Sequence, residues 1–181
     1  HGSIVLSCSS LQQKYADARQ PWEAEVGQLL AKDAEESYPD DAILFVGSSS
    51  IRLWKTITED MAPYIPIRRG YGGARFSDMI HFTDRLVSPH QAQAIVCFVA
   101  NDIAGDPNRD VSPKEVLKLF KYFVKQVREI RPNTPIFQIA ITPTPSRWKI
   151  YPQTAEANRL MAEYCQKTDN LFFIDTADAY L

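Results

Sequence analysis

The stretch ILFVGSSSIRLW (residues 43–54) decides how the chain is interpreted, because a continuous apolar run ends there in a glycine and three serines. A short apolar run bounded by turn residues is typical of a strand that is buried on both faces. Gly47 permits a tight exit from this strand, and a short helix follows. The hydroxyls of Ser48, Ser49 and Ser50 are compatible with capping that helix, holding a phosphate or supplying a nucleophile. The stretch alone leaves these three interpretations open.

Strands and helices alternate along the rest of the chain. Apolar residues recur at helical spacing in PWEAEVGQLLAKDAEE (21–36). Further strands are predicted at 65–70, 94–99, 135–141 and 171–175, and further helices at 76–87, 112–131 and 153–168. This alternation predicts an α/β fold with one open parallel sheet of five strands and helices on both faces, a three-layer α/β/α sandwich.

One helix has a complete start signal. Ser112 is expected to cap its amino end, Pro113 to occupy its first turn, and Glu115 to complete a capping box with Ser112. The helix that follows carries apolar residues on one face as far as residue 130.

The bulk composition excludes several classes of function. A net charge of −2 and a pI near 5.9 provide no general attraction for nucleic acid or for an anionic membrane. No apolar run approaches the roughly 20 residues of a membrane helix. Three scattered cysteines suggest neither a disulfide framework nor a zinc site, and Cys97 and Cys165 are expected to be buried. We therefore expect no metal and no cofactor.

The amino-terminal residues are expected to lie outside the folded domain. HGS (1–3) is typical of the remnant of an affinity tag, and IVLSCSS (4–10) resembles the end of a bacterial lipoprotein signal. A lipid on Cys8 would place the protein in the periplasm or at the cell surface, whereas the alternative is a tail that happens to contain a cysteine. Residues 1–20 are thus predicted to form a tail and residues 21–181 a single domain.

Three more loops follow predicted strands and should face the same crevice as the serines, because ligands gather at the carboxyl ends of parallel strands. The loop GYGGARFSD (70–78) contains glycines that let backbone N–H groups approach a ligand, or that merely form a turn before a cap at Ser77. In ANDIAGD (100–106), Asn101 can donate to a developing negative charge, and Asp102 is expected to organise the loop. TPTPSRWKIYP (142–152) adds an aromatic side chain.

Taken together, these loops resemble the SGNH (GDSL-type) hydrolases, whose fold is flavodoxin-like, over about residues 20–181. Gly47-Ser48-Ser49 matches the Gly-Ser-Ser block of some esterase branches, and the resemblance implies that Ser49 is the nucleophile. It also implies an oxyanion hole formed by the N–H groups of Ser49 and Gly73 and by the amide of Asn101. Arg75 and Trp148 are expected to bind substrate. Trp148 could stack on a sugar, as in carbohydrate-active members, so an acylated carbohydrate or another small ester is the expected substrate.

The sequence departs from the family pattern in three places. Val99 replaces a glycine of the third block, and Arg68 stands where the second block often has asparagine. The family's last block, an Asp-x-x-His beyond the final strand, supplies the base and its carboxylate, but FIDTADAY leads to Leu181 without one. We therefore expect the base to lie beyond Leu181. Asp175 and Asp178 are expected to be solvated carboxylates.

Two histidines could in principle replace the missing base, and two other functions are compatible with the scaffold. His81 and His90 are predicted to have surface or packing roles, because His90 should lie at the opposite edge of the sheet. The same scaffold could serve as a glycan-binding module without catalysis. A phosphate- or flavin-binding domain would explain the serines, but it leaves the other loops unused, and no phosphate-binding glycine motif is present.

Overall fold

The computed structural model describes residues 11–176 and residue 179. It contains one sheet of five parallel strands, so the predicted fold class is confirmed. The strands are β1 (Ile43–Gly47), β2 (Pro66–Gly70), β3 (Ala94–Phe98), β4 (Ile136–Ile139) and β5 (Leu171–Ile174). Each of β2–β5 lies within its predicted run and is one to three residues shorter than that run, and β1 ends at Gly47 as predicted. Cys8, the candidate lipid attachment site, lies outside the described residues.

The strand order is β2-β1-β3-β4-β5. The chain first adds β2 on one side of β1 and then crosses to add β3 on the other side, so strand order reverses between β1 and β3. A crevice forms at such a switch point, outside the carboxyl ends of the strands. Gly47, the last residue of β1, is paired with Gly70 of β2 and Phe98 of β3. The serine loop therefore leaves the sheet at the crevice.

Helices cover both faces of the sheet. They are α1 (Glu23–Glu35), α2 (Ser49–Arg52), α3 (Ile57–Met61), α4 (Phe76–Met79), α5 (Thr83–Val87), α6 (Pro113–Ile130) and α7 (Tyr151–Gln166), with 3₁₀ turns at Gln20–Trp22 and Pro145–Ile150. The larger buried cluster joins one sheet face to α1 and α4–α7, and the smaller cluster joins the other face to α2 and α3. Cys97 and Cys165 are buried as predicted. No helix among the described residues is long and apolar enough to cross a membrane.

The prediction of a single helix at 76–87 is wrong, because the segment forms two helices, α4 and α5, separated by three residues. The carbonyl oxygen of Ile80 accepts hydrogen bonds from the side chains of Gln12 and Gln126, at 3.1 and 2.7 Å. The carbonyl of Met79 accepts from the Thr83 hydroxyl at 2.9 Å. Side chains thus occupy carbonyls that a continuous helix would use, and two of the donors are distant in sequence.

The start of α6 is confirmed in part. The Ser112 hydroxyl accepts a hydrogen bond from the Glu115 N–H at 3.1 Å, as a cap should. The Glu115 carboxylate does not complete the capping box. It accepts instead from Lys14 Nζ at 2.9 Å and from the Tyr15 hydroxyl at 2.8 Å, and so fastens residues near the amino end to α6.

Candidate functional site

The first loop of the site is the turn from β1 into α2. Gly47 has φ +141°, and a Cβ atom there would lie 1.9 Å from the carbonyl oxygen of Phe98, so only glycine fits. Ser48 is buried in extended backbone, and its N–H donates to that Phe98 carbonyl at 2.9 Å. On the other side, the Tyr71 N–H donates to the Gly47 carbonyl at 3.0 Å. These bonds attach the serine turn to the exits of both neighbouring strands.

The three serines have different environments. Ser48 is 2% exposed, Ser49 is half-buried at the first position of α2, and Ser50 is exposed. Within the described part of the chain, the Ser49 hydroxyl has no hydrogen-bond partner, so it is free to meet a ligand. Its N–H lies at the amino end of α2, where the backbone carries partial positive charge.

The second loop holds Gly72 and Gly73 differently. The Gly72 N–H donates to the Glu25 carboxylate at 3.0 Å, which removes it as a donor to a ligand. Gly73 has φ +71°, and its N–H has no acceptor among residues 11–176 and 179. A Cβ at Gly73 would lie 2.8 Å from the Trp22 ring, so the backbone passes directly against that ring. Of the two, Gly73 therefore retains the N–H that can serve a ligand.

The third loop places Asn101 beside the second. The Asn101 side-chain N–H₂ donates to the Ala74 carbonyl at 3.0 Å, and its oxygen accepts from Arg147 at 2.8 Å. An amide nitrogen carries two hydrogens, so one remains for a ligand. Arg147 also donates to the Ala100 carbonyl at 3.1 Å. Sequence reasoning missed Arg147; the available signal was its position in a loop that follows β4 and reaches the same sheet edge.

Asp102 organises the two loops, as expected. Its buried carboxylate accepts the Phe76 N–H at 2.9 and 3.1 Å, and it also accepts the N–H of Ser77. Burial raises the pKa of Asp102 to about 6 despite these bonds. Asp102 thus accepts the first N–H groups of α4 from outside the helix, whose N-cap residue is Arg75; Ser77 is buried within the helix and is not its cap.

An Asp-x-x-His spacing occurs once in the chain, at Asp78 and His81 in the middle of the domain. The Asp78 carboxylate accepts from the Tyr71 hydroxyl and the Arg75 N–H, and burial raises the pKa of Asp78 to about 7. His81 Nε2 lies 2.7 Å from the Tyr15 carbonyl oxygen, and burial lowers the pKa of His81. The two side chains are committed to different partners and do not form a dyad.

His90 lies away from the site, before β3. Its Nε2 is 3.0 Å from Asp33, which also accepts from the buried Arg69, and burial lowers the pKa of His90. Asp175 is exposed after β5, as expected, and Asp178 falls outside the described residues. No group of acidic, histidine and cysteine side chains suited to a metal ion occurs among the described residues.

The two predicted substrate-binding side chains have contrasting positions. Arg75 is only 9% exposed and donates to the Arg109 carbonyl at 3.1 Å, so much of its guanidinium is committed to the fold. Trp148 is 57% exposed and stacks on Tyr151, with ring centroids 5.5 Å apart and planes 8° apart. Trp148 therefore presents an aromatic face, and the substrate role of both residues stays a prediction.

Comparisons with known proteins were made on sequence and on structure. No protein-family model matches the chain, and no curated protein matches it in sequence. A protein from Streptococcus pneumonia, provisionally assigned as a platelet activating factor, matches with a TM-score of 0.74 at 17% identity, covering 94% of this chain and 82% of that one. A GDSL-like lipase from Bacteroides thetaiotaomicron VPI-5482 matches with a TM-score of 0.65 at 16% identity, covering 84% and 78%.

A carbohydrate esterase family 3 protein from Talaromyces cellulolyticus matches with a TM-score of 0.58 at 13% identity, covering 77% of this chain and 81% of that one. These identities are low, so the likeness is one of fold. It extends over most of each chain and agrees with the motifs at the ends of β1, β2 and β3. The resemblance inferred from those motifs is confirmed at this level: the chain has the fold of the SGNH (GDSL-type) hydrolases.

Proposed function

We propose that the protein is a serine ester hydrolase in which Ser49 is the nucleophile. The observation that supports this most directly is the Asn101 amide, which is fixed beside the glycine loop with one N–H unused. The N–H groups of Ser49 and Gly73, which likewise have no acceptor among the described residues, are the other two donors. Three donors of this kind suit the stabilisation of a tetrahedral oxyanion.

The reaction follows from these assignments. The Ser49 oxygen attacks the ester carbonyl carbon, and the resulting oxyanion accepts hydrogen bonds from the three donors. The C–O bond to the alcohol then breaks, leaving an acyl group on Ser49, and water hydrolyses this acyl-enzyme to release the acid. A base must take the serine proton and return it to the leaving alcohol. The family resemblance assigns that role to a histidine beyond the final strand, and neither His81 nor His90 is placed for it.

We propose an acylated carbohydrate as the substrate class. The exposed face of Trp148 borders an open cavity of ≈ 420 Å³ lined also by Pro143, Thr144 and Pro145. The adjacent residue of the same turn, Arg147, bonds the Asn101 side chain. A large rigid aromatic surface of this kind provides apolar contact area for a sugar ring. The structural similarity to a carbohydrate esterase is in keeping with this choice.

The test uses the complete natural protein and two measurements. A fluorophosphonate reagent reacts with an activated serine, and intact mass with peptide mapping shows which one. We expect a single label on Ser49, no label in Ser49→Ala, and full labelling in Ser50→Ala, whose exposed neighbouring hydroxyl is the matched control. Hydrolysis of an acetyl ester and of acetylated xylo-oligosaccharides should be abolished in Ser49→Ala and unchanged in Ser50→Ala.

Asn101→Ala tests the oxyanion hole separately. Losing one donor typically lowers kcat by about 10²–10³-fold, and we expect a loss of that size with little change in KM. If the parent neither hydrolyses esters nor reacts with the fluorophosphonate but still binds the sugar, the protein is a binding module and the esterase assignment is wrong. Equal rates in the parent, Ser49→Ala and Asn101→Ala would also overturn it.

A further inference from the structure

Arg147 joins the loop after β4 to the residue that is proposed to hold the oxyanion. It lies in the 3₁₀ turn Pro145–Ile150, and its two terminal nitrogens donate to adjacent acceptors of the third loop. One nitrogen bonds the Ala100 carbonyl at 3.1 Å and the other bonds the Asn101 side-chain oxygen at 2.8 Å. These two hydrogen bonds join residues 46 and 47 positions apart in sequence. They fix the backbone of Ala100 and the side chain of Asn101.

The contact also determines which way the Asn101 amide faces. A guanidinium can only donate, so the amide oxygen must point toward Arg147, and the nitrogen must then point toward the Ala74 carbonyl, to which it donates at 3.0 Å. With both ends of the amide held, the second N–H has one direction left. Without Arg147, the amide could rotate and present its oxygen where a donor is needed.

The charge of Arg147 acts in the same direction. Its guanidinium forms no ion pair with any of the acidic side chains among residues 11–176 and 179, so no described carboxylate competes with the Asn101 oxygen for it. A cation bound to the oxygen of an amide polarises it and makes the N–H a stronger donor. Fixed positive charge near the place where an oxyanion develops stabilises the transition state more than the neutral ester.

We propose that Arg147 is a positioning residue that orients and polarises the Asn101 amide for the transition state. This inference rests on the proposed esterase function. Arg147 acts through Asn101 and does not itself touch the substrate. Because the same turn carries Trp148, the segment that contacts the substrate and the support of the oxyanion hole are one structural unit.

The experiment is a double-mutant cycle on the complete protein, with kcat and KM measured for an acetyl ester. We expect Arg147→Ala to lower kcat by roughly tenfold to a hundredfold, less than the loss on removing the Asn101 donor, with KM nearly unchanged. In an Asn101→Ala background, Arg147→Ala should have almost no further effect on kcat, because its target is gone. Lys149→Ala, an exposed basic residue of the same turn, is the matched control and should behave as the parent.

Two further measurements separate orientation from loss of structure. Arg147→Lys keeps the charge but lacks the planar pair of nitrogens that bonds the two oxygens separately, so we expect an intermediate kcat. Added guanidinium ion, below denaturing concentration, should partly restore kcat in Arg147→Ala and should not do so in Asn101→Ala. Circular dichroism melts of the variants show whether each is folded at the assay temperature.

The outcomes are distinguishable. If Ser49→Ala and Asn101→Ala both retain full activity, the proposed function is wrong. If Asn101→Ala alone retains it, the oxyanion role of Asn101 and, with it, the role of Arg147 are wrong. If Asn101→Ala is impaired but Arg147→Ala is not, only the role of Arg147 is wrong. Losses that multiply in the double variant, or a rise in KM with kcat unchanged, would indicate that Arg147 supports the loop or binds substrate, and would equally overturn the proposal.

Discussion

Replacing Gly47 by alanine should destabilise the whole domain, because three separate costs arise at one position. An alanine at φ +141° is strained, at about 1–3 kcal/mol. Its Cβ would lie 1.9 Å from the Phe98 carbonyl oxygen, 2.8 Å from the carbonyl carbon and 3.0 Å from the nitrogen, and all three atoms belong to the backbone of β3. Relieving an overpacked contact of this kind costs about 1–3 kcal/mol.

The third cost of Gly47→Ala is the hydrogen bond from the Ser48 N–H to the same Phe98 carbonyl, which is 2.9 Å long and worth about 1 kcal/mol. The total is roughly 3–7 kcal/mol, a large part of the 5–15 kcal/mol by which domains are stable. Urea unfolding followed by circular dichroism measures the change in the free energy of unfolding. A Gly47→Ala protein within about 1 kcal/mol of the parent would refute the reasoning.

The matched control is Gly27→Ala. Gly27 lies exposed within α1, and a Cβ there would have no atom within 4 Å. Alanine is favoured over glycine inside a helix by about 1 kcal/mol, so this substitution should raise the free energy of unfolding by that amount and raise Tm by about 2–4 °C. The same chemical change thus has opposite signs at two glycines, and the difference comes entirely from the surroundings.

Three other perturbations have defined outcomes. Burial raises the pKa of Asp78 from 3.8 to about 7, so the folded state keeps a proton that the unfolded state loses above about pH 4. The contribution of Asp78 to stability therefore falls by about 3 kcal/mol as pH rises from 4 to 7, and urea titrations at several pH values should show a flatter profile for Asp78→Asn. Arg69→Ala should lower the free energy of unfolding by about 3–5 kcal/mol, because the buried guanidinium pairs with Asp33 at 2.8 Å. The double variant Arg69→Met/Asp33→Asn removes both charges and should recover most of that loss in the same urea unfolding. Trp148→Ala should raise KM for a carbohydrate ester about tenfold with kcat nearly constant, because the ring is exposed and is proposed to contact the sugar; Tm should fall by only about 2–4 °C, since the stack on Tyr151 is lost.

The five strands were predictable because each is a short apolar run, and burial on both faces of a parallel sheet favours such runs. The need for a glycine at the end of β1 was predictable as well. Its cause was not, because the atom that excludes a side chain is the carbonyl oxygen of Phe98, a residue 51 positions away that becomes a neighbour only when β3 pairs with β1. Sequence pattern identifies the position, and tertiary contact supplies the reason.

The division of the predicted 76–87 helix shows where local pattern fails. The helical spacing of its apolar residues is real, and most of these side chains are buried. However, Gln12 and Gln126 bond the Ile80 carbonyl from outside the segment, and the Thr83 hydroxyl bonds the Met79 carbonyl from within it. Helix propensity is a weak preference that such tertiary bonds override. A pattern confined to the segment contains no information about the two glutamines.

The candidate site contains two kinds of group: the proposed reacting groups, and the side chains that hold them in place. Ser49, Gly73 and Asn101 lie in loops that follow strand ends; loop position indicated the loops, and the family resemblance selected these residues as candidates. Two other residues hold them in place. Asp102 was expected to organise its loop, whereas Arg147 was missed. Their roles depend on hydrogen bonds to groups 26 to 47 residues away in sequence, which local pattern does not reveal.

A group that only holds a donor contributes nothing to the binding of a neutral ester, but it determines whether the donor is already aimed when negative charge develops. Asp102, which binds the Phe76 N–H at 2.9 Å and thereby locks the glycine loop to the asparagine loop, should share this property with Arg147. Substitution of Asp102 or Arg147 should therefore lower kcat more than it changes KM. Residues beside the motif then affect the rate because they orient the donors within it.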